Sequence, residues 1–483
     1  MSLYKKLLNQ TAIYGIATVL PRMLSFLLVR LYTDYMPAEE YGEVSVIFSY
    51  LVFFNVILSY GMETSFFRFY NAEENKRSVV ATASISLLFT TLAFVGIALS
   101  SRNSIAEWSD IKVDYILYTI LILALDALVV IPFSKLRALG HSLKYAIIKI
   151  SNVAINLGLN IFFIIFLPKW QEGNSFLETL YIPNFQIGYI FISNLVASLF
   201  TLLVLLPDYF KQSWQFDANL WKRMLRYGFP ILIAGIAFAI NEHFDKILLE
   251  WLGIPLEAIG AYSACYKIGM FMVLFRTAYT LGIEPFFFSH AKNANAQQTY
   301  ADITKYFVIF GSMMSLGVIV FADLLKHILV PNEAYWSAMN IVPLIVLANF
   351  FLGIYTNLSV WYKLIDKTKI GAYISIIGAS VTLVLNFLLI PIIGFVGSAI
   401  ATIFAYGTMM LISYVLGQKK YPIPYDKPKI AAYLGLSTVL SFMSFYITPL
   451  RETYVFGILS LLIFAYFVYR NEKQLFARLL KRN

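Results

Sequence analysis

Fourteen long apolar runs, separated by short polar segments, constrain the fold of this chain more than any other feature. They cover approximately residues 10–33, 42–66, 78–100, 114–133, 145–167, 185–206, 227–251, 259–287, 303–326, 338–361, 370–390, 395–416, 430–448 and 454–470. A run of about 20 apolar residues is long enough to cross a bilayer as a helix. Runs such as "ILYTILILALDALVVIPF" do not alternate as the strands of a membrane β-barrel do. The sequence therefore predicts an all-α polytopic membrane protein with fourteen transmembrane helices, numbered here as spans 1–14.

Composition supports this prediction, because hydrophobic residues make up 59% of the 483 residues and charged residues only 13%. Soluble domains carry roughly 25% charged residues. A single cysteine, Cys265, excludes an internal disulfide and a cysteine-based metal cluster, and we interpret it as a packing residue. The N-terminal run lacks a small-residue cleavage site, so we interpret span 1 as retained.

The distribution of lysine and arginine predicts the orientation of the chain. With a cytoplasmic N-terminus, 26 of the 37 basic residues fall in cytoplasmic segments and 5 in outside segments. Both termini are then cytoplasmic, in a cell (inner) membrane. The bias also explains the net charge of +10 without a nucleic-acid partner. The loops are too short for a separate domain, which disfavours a membrane enzyme such as a polymerase or glycosyltransferase, and the chain lacks a Walker-type loop.

An internal repeat indicates two related halves. Pro37, Gly42 and Ser45 in "YMPAEEYGEVS" are matched by Pro255, Gly260 and Ser263 in "GIPLEAIGAYS". "YGMETSFFRF" is similarly matched by "LGIEPFFFSH", and the segment around Asn160 by that around Asn386. The repeat predicts an N-terminal six-helix lobe (1–207), a C-terminal six-helix lobe (208–418) related to it by pseudo-two-fold symmetry, and helices 13–14 with a basic cytoplasmic tail (419–483). Two such lobes would enclose a cavity and alternate its access.

Several segments carry a family resemblance. "PAEEYGEVSV", "GMETSFFRFY", "FDKILLEWLG" and "IGAYSACYKIG" resemble the Wzx-type polysaccharide biosynthesis flippases of the MOP (multidrug/oligosaccharidyl-lipid/polysaccharide) exporter superfamily. The resemblance implies transport of a polyprenyl-diphosphate-linked oligosaccharide, such as an O-antigen (lipopolysaccharide) repeat unit, from the inner to the outer leaflet. A lipid II flippase and a MATE-like cation or drug exporter remain alternatives within the superfamily.

Charged residues within the predicted spans are the candidate functional residues. A charge near the bilayer centre costs about 2.5–3.5 kcal/mol on insertion scales, so such residues should line a water-filled cavity or pair with one another. The candidate substrate-binding bases are Arg22, Arg30, Lys246, Lys267 and Arg276. The candidate counter-charges or coupling-ion ligands are Asp126, Asn241, Glu242 and Asp245. Glu63 and Glu284 are candidates for gating, with pairing to nearby loop cations as the alternative.

The arginines of span 1 are interpreted as contacts for the diphosphate, because the guanidinium fork matches phosphate oxygens. Pairing of Arg22 with an acid such as Asp126 is the structural alternative. For Arg30 the alternative is a side chain that extends to the outer interface.

The polar group in span 7 is predicted to form one helical face, because Glu242, Asp245 and Lys246 are spaced i, i+3 and i+4. It would act as a site facing the cavity or as an ion pair between helices. His243 points away from that face and is interpreted as a packing or hydrogen-bonding residue rather than a switch.

In span 8, Lys267 and Arg276 are nine residues apart and face the same cavity only if the helix bends, which Gly269 would allow. Arg68 and Lys149, close to cytoplasmic ends, are interpreted as ordinary orientation residues.

Balanced charges favour an anionic substrate, because an exporter of cations should be dominated by acids whereas here five bases match five acids. Outward movement of an anion is favoured by about 2.3 kcal/mol per charge per 100 mV in a cell that is negative inside. We therefore expect a transporter rather than an enzyme, with no cofactor or metal, Na⁺ or H⁺ coupling, and alternating access. We expect a monomer in loose association with a polysaccharide polymerase and glycosyltransferases.

Overall fold

A computed structural model describes residues 3–210, 214–291, 293, 295–452 and 454–473; for residues 3–12, 14, 284, 285, 288 and 289 it describes the backbone alone. The first helices are α1 (Leu3–Tyr35), α2 (Ala38–Ser59), α3 (Met62–Ala72), α4 (Lys76–Ser100), α5 (Arg102–Ser109), α6 (Val113–Leu128), α7 (Val130–Ala138), α8 (Ser142–Ile161), a π-helix (Phe162–Phe166), α9 (Leu167–Trp170), α10 (Ser175–Leu180), α11 (Gln186–Phe210), α12 (Ala218–His243) and α13 (Asp245–Trp251). The remaining helices are α14 (Leu256–Gly269), α15 (Phe271–His290), α16 (Ala296–Val320), α17 (Ala322–Leu329), a 3₁₀-helix (Glu333–Ile341), α18 (Val342–Leu358), α19 (Val360–Leu364), α20 (Lys369–Ile393), α21 (Phe395–Lys420), α22 (Lys427–Tyr446), α23 (Thr448–Arg451) and α24 (Val455–Asn471).

The all-α polytopic fold is confirmed, since every predicted span coincides with one of these helices or with a run of adjoining ones. Within the described residues, eleven helical segments are long and apolar enough to cross a membrane, or twelve if the bent pair α14–α15 is one span. The apolar helix α24 has only 17 residues. The exact number of fourteen crossings therefore stays a prediction.

The helices group into two compact units, each of which has most of its contacts within itself. Unit 1 comprises Met1–Trp251 and Pro255–Gly260, and unit 2 comprises Leu252–Ile254 and Ala261–Asn483. In unit 1, α8 packs against α1 and α11, and α6 packs against α4 and α11. Helix α12 packs against α2 and α3, and its Trp221 indole donates a hydrogen bond of 2.8 Å to the hydroxyl of Ser86. The predicted boundary between the N-terminal and C-terminal six-helix lobes, at residues 207/208, rests on the sequence repeat and stays a prediction.

Two glycines allow the first turns of α2 and α14 to pack backbone against backbone within unit 1. A methyl group on Gly42 would lie 2.0 Å from the carbonyl oxygen of Leu256, and one on Gly260 would lie 1.8 Å from that of Ala38. Each of these carbonyls belongs to the residue four positions before the other glycine, so the contact is reciprocal. The two glycines occupy equivalent positions in the sequence repeat. No larger residue fits at either position without separating the helices.

In unit 2, α18 and α20 pack against α21, and α16 packs against α22, which in turn contacts α24. A buried ionic cluster fastens the end of α24 to this core. Glu472, whose side chain is 8% exposed, pairs with Lys305 at 3.2 Å and with Lys429 at 2.9 Å. It also accepts a hydrogen bond from the hydroxyl of Tyr433 at 3.2 Å. Burial alone would raise the pKa of Glu472, but the hydrogen bonds and charges of the two lysines outweigh it and lower the pKa.

We expect Glu472→Gln to lower the free energy of unfolding by about 3 kcal/mol, because the substitution leaves the largely buried Lys305 without this counter-charge. Since the folded-state pKa of Glu472 is lowered, its contribution is present above its unfolded pKa and is lost as the pH falls through the lower folded value. Thermal unfolding of the purified protein between pH 7 and acid pH measures both effects. Equal acid sensitivity in wild type and variant would contradict the assignment.

Candidate functional site

The two predicted arginines of span 1 have exposed side chains on α1, within the apolar segment Gly15–Tyr35. In a bilayer a guanidinium is costly unless water, phosphate or a polar protein group lies nearby. Asp126, the alternative partner considered for Arg22, accepts hydrogen bonds from Ser198 and Asn55. The prediction that Arg22 and Arg30 bind substrate therefore stays open on this geometry.

The polar group of span 7 does not lie on one continuous helix as predicted. Helix α12 ends at His243 and α13 begins at Asp245, with Phe244 between them. The Phe244 ring packs against Phe53 and Trp251, at centroid distances of 5.2 and 5.6 Å. Asn241 and Asp245 are buried, 6% exposed each, and Glu242 is half-buried.

Lys246 pairs with its own neighbour in the chain: its ammonium nitrogen lies 2.9 Å and 3.1 Å from the two carboxylate oxygens of Asp245. The side chains of Lys246 and Asp245 are 12% and 8% exposed. The pair is therefore a local, largely desolvated one, and it joins two of the predicted site residues directly.

The bend considered for span 8 is present. Helices α14 and α15 meet at Met270 at an angle of 42°, which follows Gly269. Lys267 and Arg276, both half-buried, lie on either side of this bend. The structure therefore removes the straight-helix geometry that would place these two side chains on opposite faces.

Glu63 has a cation partner, as the alternative to gating anticipated. The guanidinium of Arg137 donates a hydrogen bond of 2.6 Å to the Glu63 carboxylate, and the two side chains are 43% and 48% exposed. An exposed pair of this kind contributes about 0–1 kcal/mol to stability. The side chain of Glu284, the related gating candidate, lies outside the described residues.

A polar cavity of about 360 Å³ inside unit 1 was not predicted, and we name it the Asp126 cavity. Six helices of the unit, α2, α3, α6, α7, α8 and α11, contribute to its wall. Its polar lining consists of Asn55, Glu63, Asp126, Arg137, Tyr145, Lys149, Asn152, Asn194, Ser198 and Thr201. Of these, Glu63 and Asp126 belong to the predicted site.

Asp126 is one of the two acids that line this cavity. It lies near the end of α6, which stops at Leu128 before the chain continues as α7. One carboxylate oxygen accepts a hydrogen bond of 2.8 Å from the Ser198 hydroxyl, and the other accepts a longer one of 3.5 Å from the Asn55 amide. Donors from α2 and α11 therefore contact both carboxylate oxygens within the apolar bundle.

Lys149, which the sequence analysis interprets as an orientation residue, lines this cavity. Its ammonium nitrogen lies 4.6 Å from the centroid of the Phe133 ring. Its charge is attracted by Asp126 and Glu63 and repelled by Arg137. In the part of the chain that the structure describes, no carboxylate oxygen lies within 4 Å of this nitrogen.

A polar stripe along α8 is the sequence signal that could have revealed this cavity. Lys149, Asn152, Asn156 and Asn160 recur at intervals of three and four residues within an apolar helix, so they share one face. Asn152 donates to Thr201 at 3.0 Å, and Asn160 donates to the side-chain oxygen of Asn156 at 2.6 Å. The Tyr32 hydroxyl of α1 completes the stripe by donating to Asn160 at 3.0 Å. A π-helix, a frequent feature of functional sites, follows directly.

The site residues do not form a metal centre of the usual kind. Across the described residues, no three or more His, Cys, Asp or Glu side chains converge closely enough to hold a metal ion. The expectation that the protein needs no cofactor remains a prediction.

Comparison with known proteins supplies the context for this geometry. The family model for "Polysaccharide biosynthesis protein" matches residues 7–289, and the MatE model matches residues 230–388. The chain is 23% identical over 444 residues to the uncharacterized membrane protein MJ1068 of Methanocaldococcus jannaschii, covering 85% of this chain and 84% of that protein.

Solved structures share the fold at low sequence identity. The lipid II flippase MurJ in an inward closed conformation aligns with a TM-score of 0.73 and 17% identity, covering 95% of this chain and 99% of MurJ. An inward-facing multidrug resistance transporter of the MATE family aligns with a TM-score of 0.62 and 14% identity, covering 85% and 95% of the two chains. At these identities the likeness defines the fold alone.

Proposed function

Because this chain belongs to the polysaccharide biosynthesis protein family of the MOP exporter superfamily, we propose that it flips polyprenyl-diphosphate-linked oligosaccharides from the inner to the outer leaflet. The family and the fold are those of membrane transporters and flippases rather than of enzymes. The observation that carries the proposal is the family match over residues 7–289, which contains span 1 and both of its arginines.

The chemistry of such a substrate fits the residues on α1. The lipid tail remains in the bilayer, whereas the sugar and the diphosphate need a polar route through it. Exposed guanidinium groups at Arg22 and Arg30 would replace part of the water around the diphosphate, since arginine matches phosphate oxygens in a bidentate manner. Lys267 and Arg276, on either side of the bend in α14–α15, are proposed as further basic contacts of the substrate.

The driving force in this proposal is the membrane potential together with a coupled ion. Each negative charge that moves outward gains about 2.3 kcal/mol per 100 mV, so a diphosphate with two charges gains roughly twice that. In this proposal the counter-charges or coupling-ion ligands during alternating access are Asp126, Asn241, Glu242 and Asp245. Orientation with both termini in the cytoplasm and a monomeric state in the cell membrane belong to the same proposal, as does loose association with a polymerase and glycosyltransferases.

A lipid II flippase is the second candidate function, and it is favoured by the fold shared with MurJ over 95% of this chain. Lipid II presents the same diphosphate chemistry with a different glycan. A MATE-like exporter of cations is a third candidate, supported by the MatE match over residues 230–388.

Reconstitution of the purified protein into liposomes with three fluorescent probes distinguishes these functions. The probes are a polyprenyl-diphosphate oligosaccharide, lipid II and a cationic dye, and a membrane-impermeant quencher reports transfer or export of each. We expect transfer of the polyprenyl-diphosphate oligosaccharide at several times the rate in protein-free vesicles, with slower transfer of lipid II and no export of the dye. Export of the dye alone would contradict the proposal.

A further inference from the structure

We propose that the Asp126 cavity is a proton-binding site, in which Asp126 accepts the proton and Lys149 is the built-in counter-charge. The inference deepens the proposed function by naming the coupled ion. It rests on that function only for the claim that proton binding is linked to transport. The proton site itself is argued from the cavity and can be tested without a transport assay.

The cavity is large and polar enough to hold water. Its 360 Å³ compares with a share of about 30 Å³ per molecule in liquid water. Asp126 and Lys149 face this space from α6 and α8, and their ionic interaction acts across it rather than through a direct contact. Water inside the bundle therefore can deliver a proton to a carboxylate that lipid would otherwise isolate.

The donors around Asp126 favour a proton over a metal cation. Ser198 and Asn55 both present hydrogens to the carboxylate, and the amide nitrogen of Asn152 donates to Thr201. A metal cation needs several oxygen ligands turned toward it. It would also be repelled by the ammonium of Lys149 in the same cavity. A proton needs one carboxylate oxygen and displaces none of these groups.

The charges around Asp126 come from three elements only, among the residues that the structure describes. Helix α3 contributes Glu63, α7 contributes Arg137, and α8 contributes Lys149 with the phenol of Tyr145; the lining residues of α2 and α11 are uncharged amides and hydroxyls. Glu63 and Arg137 neutralise each other at 2.6 Å. Asp126 and Lys149 are thus the remaining pair of opposite charges.

The Glu63–Arg137 pair marks the solvent end of the cavity, because both of its side chains are more than two-fifths exposed. A proton enters there as hydronium and passes through water to Asp126. One carboxylate oxygen then forms an O–H bond and the delivering water is released neutral. Protonation removes the negative charge that Lys149 faces across the cavity. The exchange gives the cavity two electrostatic states.

Infrared spectroscopy of the full chain in lipid tests the proton site, because a protonated carboxyl group has a carbonyl band that the carboxylate lacks. We expect a titrating band that is lost in Asp126→Asn and shifted in frequency in Asp126→Glu. Lys149→Met should move its midpoint to higher pH by about one unit, since the ionised form loses a nearby positive charge. Glu63→Gln is the control and should retain the band. A titration unchanged in both Asp126 variants, or unmoved in Lys149→Met, would overturn the proposal.

Transport measurements separate failure of this inference from failure of the proposed function. If vesicles containing the protein transfer polyprenyl-diphosphate oligosaccharide, a pH gradient should change the wild-type rate and leave that of Asp126→Asn unchanged. Equal responses of the two proteins would refute the coupling while the flippase function stands. Absence of transfer in wild type, with the Asp126 band present, would refute the flippase function and leave the proton site intact.

Discussion

Replacing Gly260 or Gly42 with alanine is expected to lower the free energy of unfolding by about 3 kcal/mol or more. In each variant the added methyl group would lie within 2.0 Å of a backbone carbonyl oxygen on the other helix. Backbone cannot move aside as a flexible side chain can, so α2 and α14 must separate at their first turns. Apparent melting temperatures of the two variants in detergent, with fluorescence size-exclusion profiles, measure the effect.

Gly96 and Gly158 provide matched controls, because they are helical glycines of the same unit whose added methyl groups would meet no atom within 4 Å. At these positions alanine should leave stability unchanged or raise it by up to about 1 kcal/mol, since glycine is the poorer helix former. If the apparent melting temperature of Gly260→Ala equals those of the two control variants, the close packing of α2 against α14 is contradicted.

The second large effect is expected at Arg22, where alanine should reduce transfer of the oligosaccharide by about ten- to a hundredfold. A hydrogen bond to a charged group contributes about 1.5–3 kcal/mol, and each 1.4 kcal/mol corresponds to a factor of ten. Because the Arg22 side chain is exposed, its removal should leave folding intact. Initial rates in vesicles containing equal amounts of protein measure the effect.

Arg22→Lys and Arg102→Ala accompany this measurement. Lysine keeps the charge without the bidentate fork, so its rate should fall between those of wild type and Arg22→Ala. Arg102, an exposed residue on the short helix α5, should tolerate alanine without loss of rate. We also expect Lys246→Ala to abolish flipping, but it removes the partner of buried Asp245 and is therefore less diagnostic. Full activity of Arg22→Ala would remove α1 from the substrate route.

Hydropathy was sufficient to predict the helices, because in lipid each spanning segment must satisfy its own backbone. Gly269 indicated that a bend in span 8 was possible, and the structure shows one. Hydropathy did not predict the interruption of the helix at Phe244. The ring of this residue packs against Phe53, which is far away in the sequence, and against Trp251, which follows in α13. Local spacing carries no information about such contacts, so the predicted single helix through Glu242, Asp245 and Lys246 is interrupted, while their common face stays a prediction.

The candidate site was predictable in part. Asp126 was identified because an acid inside an apolar run is costly, but its partners Asn55 and Ser198 lie about 70 residues away on either side. The place of Lys149 in the cavity was not predicted, because a lysine near a predicted helix end is indistinguishable by composition from one that only sets orientation. The glycine repeat was visible in the sequence, whereas the reciprocal contact between Gly42 and Gly260 required the structure.

The most direct measurement is the leaflet distribution of a polyprenyl-diphosphate oligosaccharide in vesicles containing the purified wild-type protein, with and without an imposed potassium diffusion potential. If basic side chains carry a diphosphate head group across the bilayer, the head group should accumulate in the leaflet on the positive side and redistribute when the potential is reversed. A distribution that ignores the potential, or that equals the one in protein-free vesicles, would contradict the account.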